Sequence, residues 1–225
     1  MRWQHPLWVL VSPMTFIPVA ENTGLITALD VWALNQACHQ IREWQRQYPQ
    51  LGLYINVNLS GKQFMRPDLI TQIDRALATH DLSGHCLKLE ITESVLIQNA
   101  PAAIELLRKL RQRHIQVCMD DFGTGYSSLS YLHRFPIDVL KIDKSFIGSL
   151  QGAGQGQDDY EIVRAILNLA NGLNLAVVAE GIETLDQVQY LQTHHCHSGQ
   201  GYFFSKPISV AEAHVFLAQH SSQSA

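Results

Sequence analysis

Six short apolar runs, set apart by amphipathic stretches, constrain the fold of this chain more than any other feature. They are "LYINVNLS", "CLKLEITES", "IQVCMDDFG", "DVLKIDKSF", "LAVVAEGIE" and the weaker "GQGYFF". Each is rich in Val, Ile, Leu or Tyr and ends in polar residues, as parallel strands covered on both faces do. Between them, "DLITQIDRALATH", "PAAIELLRKLRQRH", "DYEIVRAILNLANGL" and "TLDQVQYLQTH" repeat apolar residues every three or four positions. The long stretch "GLITALDVWALNQACHQIREWQRQY" does the same through Leu25, Leu29, Trp32 and Leu34. These are helices packed on a sheet by one face. The alternation predicts repeated βα units in one domain spanning residues 1–225.

Two architectures fit that pattern, a closed barrel and an open doubly wound sheet. The open sheet normally carries a glycine-rich phosphate turn after its first strand, and neither G-x-G-x-x-G nor G-x-x-x-x-G-K-[ST] occurs. A barrel is the expected fold. In barrels of this type the active site gathers at the C-terminal ends of the strands. Here those ends carry Asn58, Glu90, Asp120 with Asp121, Lys141 with Asp143, Glu180 with Glu183, and Gln200.

A rim so rich in carboxylates repels itself unless protons or cations are bound. Oxygen ligands select hard divalent ions such as magnesium or manganese over zinc or copper. Two ions fit when one Asp bridges them and its neighbour serves the second, which suits Asp120 and Asp121. Acids before a helix also occur for dipole reasons alone. Their repetition at other strand ends favours a site. Lys141, taken singly, would be a partner for a buried acid.

The formal charge of -4 offers no basic footprint for a polymeric nucleic acid. No apolar run is long enough to span a bilayer, and the N-terminus lacks a signal-peptide core, so a cytoplasmic chain without a membrane segment is expected. Cys38, Cys86, Cys118 and Cys196 are far apart and read as free thiols, most of them buried. The neighbours in "HHCH" at 194–197 cannot all point at one ion, which argues against a zinc site. No G-x-S-x-G elbow is present, so the serines of "TGYSSLS" read as loop and helix-capping residues. "QGAGQGQDD", residues 151–159, reads as a flexible surface loop.

Taken together, "RWQHP", "FIPVAENTGLI", "VNLSGKQF", "LEITES", "DDFGTGYSSLSYL", "LKIDKSFI", "VVAEGIET" and "GQGYFFSKP" resemble, in order, the signatures of EAL domains, the phosphodiesterases of cyclic di-GMP. The resemblance runs from Arg2 to about Pro207. It implies an α/β fold, a modified (β/α)8 TIM-type barrel, that opens cyclic di-GMP to linear pGpG with Mg2+ or Mn2+ in a two-metal site. By matching position, it implies that Asn58, Glu90 and Asp120 hold one metal, and that Asp120, Asp121 and Glu180 hold the other. Lys141 resembles the lysine that holds the attacking water. Asp143 and Gln200 resemble polar groups lining the same site, and Arg2 resembles a contact to the substrate phosphate. Glu93 resembles a glutamate that steadies the loop like "DFGTGYSS", which in the family serves substrate binding and dimer contacts. A homodimer is implied as well.

The family's Glu-Ala-Leu motif stands just before the residues matching Met1 and "RWQHP". The first barrel strand is therefore expected to be truncated and its metal-binding glutamate to be missing. The sequence then resembles a fragment of a larger signalling protein whose turnover is impaired. The alternative is a catalytically degenerate receptor for the dinucleotide, or a protein-interaction scaffold. Trp8 and Val9 stand where the family usually has a glycine and charged residues, and could mark a contact surface.

Overall fold

Five of the six apolar runs contain a strand, and the sixth, "GQGYFF", overlaps one at Gly199 and Gln200. The computed structural model describes residues 1–124, 132–150, 157–196 and 198–221. In order, the strands are β1 (Trp3–His5), β2 (Val9–Val11), β3 (Ile55–Asn58), β4 (Leu87–Thr92), β5 (Gln116–Phe122), β6 (Val139–Ile142), β7 (Ala176–Glu180) and β8 (Ser198–Gln200). Gly125 and the serines of "TGYSSLS" lie outside the described residues, as do His197 and the greater part of the "QGAGQGQDD" stretch. The chain divides into two compact units, Met1–Leu89 and Glu90–Ala225.

In the first unit, β1 and β2 form an antiparallel hairpin in register Trp3 with Val11 and His5 with Val9. The His5 ring accepts from the backbone N–H groups of Leu7 and Trp8 and stacks on the exposed Trp8 at 4.4 Å. Ser12 then caps a helix over Pro13–Thr23, which Gly24 ends in the left-handed region at φ 79°. The long helix Ile26–Gln47 buries Ile26, Asp30, Leu34, Cys38 and Ile41, one stripe at helical spacing. It packs against β3 and against the helix Leu69–Thr79, whose Leu69, Ile73, Ala76 and Leu77 are buried.

In the second unit, β5, β6, β7 and β8 follow one another in a parallel sheet. Every residue of β6 is buried, as a strand covered on both faces requires. The helix Ala100–Arg111 contributes Leu107 and Leu110 to this core, and the helix Gln157–Gly172 contributes Val163, Ile166 and Leu167. Three of the four cysteines, Cys38, Cys86 and Cys118, are buried, and all four are free thiols. Among the described residues no helix is long and apolar enough to cross a membrane.

The segment after β7 is held to the segment after β8 by main-chain bonds. Ile182 N–H donates to the Gln200 carbonyl at 3.1 Å, and Phe203 N–H donates to the Ile182 carbonyl at 2.9 Å. Gly201 lies between them, and a Cβ there would stand 2.1 Å from the Ile182 carbonyl oxygen and 2.2 Å from its nitrogen. Backbone atoms cannot yield that space by a rotamer change. Gly201→Ala is therefore expected to cost about 1–3 kcal/mol in chemical denaturation. Gly148→Ala, where nothing lies within 4 Å of the new carbon, should stay within about 0.5 kcal/mol of the parent.

Candidate active site

Successive residues of a regular strand point to opposite faces, so adjacent Asp120 and Asp121 should not meet. A bulge in β5 brings them together. Met119 pairs with Leu140 and Phe122 with Ile142, which leaves both acids opposite the single residue Lys141. Asp121 takes up the extra residue in the left-handed region at φ 54°, a conformation that Asp tolerates better than most side chains. As a result, one carboxylate oxygen from each of Asp120, Asp121 and Glu180 lies within 4.8 Å of the others.

Lys141 projects from the middle of buried β6 and is only 2% exposed. Its Nζ stands 2.9 Å from Glu90 Oε2, 3.0 Å from Asp120 Oδ1 and 2.5 Å from Glu180 Oε1. Burial alone would lower the ammonium pKa. The charges of Glu90 and Asp120 and the hydrogen bond to Glu180 outweigh it and hold the pKa above the ordinary lysine value. Lys141 is thus a fixed cation and donor, unsuited to act as a base. Asp120 Oδ1 is buried and near Nζ, yet it receives no aligned hydrogen bond.

The remaining acids differ in their surroundings. Burial, followed by the neighbouring charges of Asp120 and Asp143, pushes the Asp121 carboxyl up. Burial also raises Glu180, despite its bond to Lys141. Asp143 moves the other way: burial would raise it, but hydrogen bonds from the Ser145 hydroxyl and amide prevail. Its Oδ1 accepts from Ser145 N at 2.9 Å and so caps the helix Lys144–Gly148. Gln200, paired with Glu180 across β7 and β8, donates its side-chain amide to Glu180 Oε1 at 2.7 Å. Glu93, buried at the start of the helix Glu93–Gln98, accepts from Gly123 N at 3.5 Å. That contact fastens the residue just past the bulge.

The second unit thus brings together Glu90, Asp120, Asp121, Lys141, Glu180 and Gln200, with Asp143 capping the helix after β6 and Glu93 opening the helix after β4. Asn58 and Arg2 belong to the first unit. Asn58 ends β3 with an exposed side chain, and Arg2 is exposed, its Nη1 donating to the Met1 carbonyl at 2.9 Å. The donor set around Asp120 is all oxygen, and it contains a buried carboxylate oxygen without an aligned donor. Both features fit a hard divalent cation, and the lack of His or Cys in the group disfavours zinc and copper.

Asp30, in the first unit, is a buried acid that braces the segment after β3. It is buried on the helix Ile26–Gln47, and its Oδ2 accepts from both the amide and the hydroxyl of Ser60, two residues beyond Asn58. The signal was present in the sequence, since Asp30 falls on the same stripe as Ile26, Leu34, Cys38 and Ile41.

Comparison with known proteins places this geometry in a family context. A family model of the EAL domain matches residues 1–207. Cyclic di-GMP phosphodiesterase NbdA of Pseudomonas aeruginosa is 41% identical over 217 residues, 96% of this chain and 27% of NbdA. The chain spans between a quarter and a third of the length of the curated relatives it matches. Among solved structures, the c-di-GMP complex of the PaMucR phosphodiesterase is 41% identical and superposes with a TM-score of 0.89, covering 94% of this chain and 84% of that one. The manganese and c-di-GMP complex of Klebsiella pneumoniae BlrP1 is 27% identical with a TM-score of 0.70, covering 80% of this chain and 45% of that one. These likenesses bear out the α/β, modified TIM-type barrel expected from the sequence.

Proposed function

The chain belongs to the EAL domain family, and from that premise we propose that it hydrolyses cyclic di-GMP to linear pGpG with Mg2+ or Mn2+ held by the carboxylates around Lys141. The bulge that turns Asp120 and Asp121 together toward Glu180 carries this proposal. The names of NbdA and PaMucR as phosphodiesterases, and the manganese and c-di-GMP in the BlrP1 complex, support it.

In this reading Asp120, Asp121 and Glu180 would hold one cation, and Glu90 with Asp120 would serve a second. When bound, such ions neutralise phosphoryl oxygens and make water acidic enough to attack near neutral pH. The residues of the chain do the rest. Lys141 keeps its proton, because three carboxylates surround it, and serves as a donor that orients the attacking water or a phosphoryl oxygen. Gln200 fixes Glu180 Oε1 by its amide, so that the other oxygen of that carboxylate can turn to a cation. Glu93 steadies Gly123 at the exit of β5, and Asp143 fixes the helix after Lys141. No protein nucleophile is required.

Incubation with cyclic di-GMP and manganese, with the nucleotides followed by chromatography, tests the proposal. The expected result is pGpG from the parent chain and none from Asp120→Asn or in EDTA. Binding of cyclic di-GMP without product would replace the hydrolase by a receptor. Neither binding nor product would leave a scaffold.

A further inference from the structure

We propose that Gln187 is a positioning residue that clamps the segment after β7 to the helix after β6, and so fixes Glu180 against Lys141. The inference rests on the metal-dependent hydrolase reading for its consequence, though not for its geometry. Gln187 stands in the first turn of the helix Leu185–Thr193 and is 2% exposed. A buried amide must satisfy both its oxygen and its nitrogen. Its Oε1 accepts from Glu183 N at 2.7 Å and from Thr184 N at 3.1 Å, and its Nε2 donates to the Ile147 carbonyl at 2.9 Å.

The two halves of that amide have different purposes. Thr184 and Gln187 form a capping box, for which the oxygen suffices and a glutamate would serve equally. Only an amide also provides a donor for Ile147. Ile147 belongs to the helix Lys144–Gly148, which begins three residues past Lys141, and Glu183 lies three residues past Glu180. One side chain therefore joins the segments that follow two neighbouring site residues.

A second contact reinforces the join. Gly181, immediately after Glu180, adopts φ 71°, and a Cβ there would stand 2.5 Å from Lys144 Cβ. The two segments thus touch where no other side chain fits. Groups that orient metal-binding carboxylates from behind commonly change metal affinity or activity by about 10–100-fold when removed.

The clamp and a mere helix cap diverge in Gln187→Glu. That variant keeps an acceptor for Glu183 N and Thr184 N but sets a carboxylate oxygen against the Ile147 carbonyl. Gln187→Leu removes both halves and covers the case in which the buried charge prevents folding. Amide hydrogen exchange of segments 143–150 and 181–184 would be read by mass spectrometry, together with Mn2+ affinity, kcat and KM for cyclic di-GMP. The clamp predicts faster exchange in 143–150 for both variants, with 181–184 still protected in Gln187→Glu. It also predicts Mn2+ binding weakened about tenfold or more, and a fall in kcat larger than any change in KM. Unchanged exchange of 143–150 in both variants would overturn it and leave Gln187 a helix cap. If the parent chain neither binds Mn2+ nor turns over, the hydrolase reading fails, while the exchange pattern still decides the clamp.

Discussion

Replacing Lys141 by methionine is expected to cost the metal-free chain about 3–5 kcal/mol, the range seen when one partner of a buried ion pair is removed. The ammonium lies within 3.0 Å of Glu90, Asp120 and Glu180. Without it, three carboxylates face one another in a poorly solvated space, where burial already raises Glu180. They would take up protons or push apart. A divalent cation would replace the missing charge, and a ligand at a hundred times its Kd contributes about 2.7 kcal/mol. Urea denaturation in EDTA should therefore show the full loss, and the same titration in saturating manganese most of the recovery. Turnover should stay absent in manganese, because the donor that orients the water is gone. A Lys141→Met chain as stable as the parent in EDTA would contradict the role assigned to the cage.

Asp121→Asn separates chemistry from folding more cleanly. Asn accepts the left-handed region as readily as Asp, so the bulge at φ 54° should survive and stability should change little. What is lost is one carboxylate of the trio shared with Asp120 and Glu180. Cation stabilisation of a phosphoryl transition state is worth several kcal/mol, so turnover should fall on the order of 10³-fold. Asp121→Ala should lose as much activity and also about 1 kcal/mol of stability, since alanine has no local hydrogen bond to offset the left-handed backbone. Initial rates of pGpG release and urea midpoints, measured on both variants, check this. Equal urea midpoints for Asn and Ala would show that the bulge carries no strain.

The two variants also mark where the sequence was legible. β4 to β7 were readable because strands buried on both faces, as β6 is throughout, leave continuous apolar runs with polar ends. The hairpin of β1 and β2 was not, since "RWQHPLWVLVSP" shows neither clean alternation nor a recognisable two-residue turn. The helix Pro13–Thr23 is hidden for a related reason: Pro18 sits inside it, and proline usually signals a break. The strand-end acids were visible one by one. Their gathering on one rim follows from the strand ends, but the bulge that lets Asp120 and Asp121 both join it does not, because it changes which face Asp121 takes without altering any apolar pattern. The burial of Gln187 was hidden as well. Thr184-x-x-Gln187 announces a helix cap, but the bond to Ile147, 40 residues away, has no local signature.

Metal-dependent hydrolysis by this chain requires that the oxygens of Asp120, Asp121 and Glu180 hold a hard divalent cation. Titrating Mn2+ into the parent chain and into Asp120→Asn, with free manganese followed by its paramagnetic resonance, asks this without relying on turnover. Saturable uptake by the parent that is lost or weakened at least tenfold in Asp120→Asn is the predicted result. Equal uptake by the two chains, or none by the parent, would contradict it.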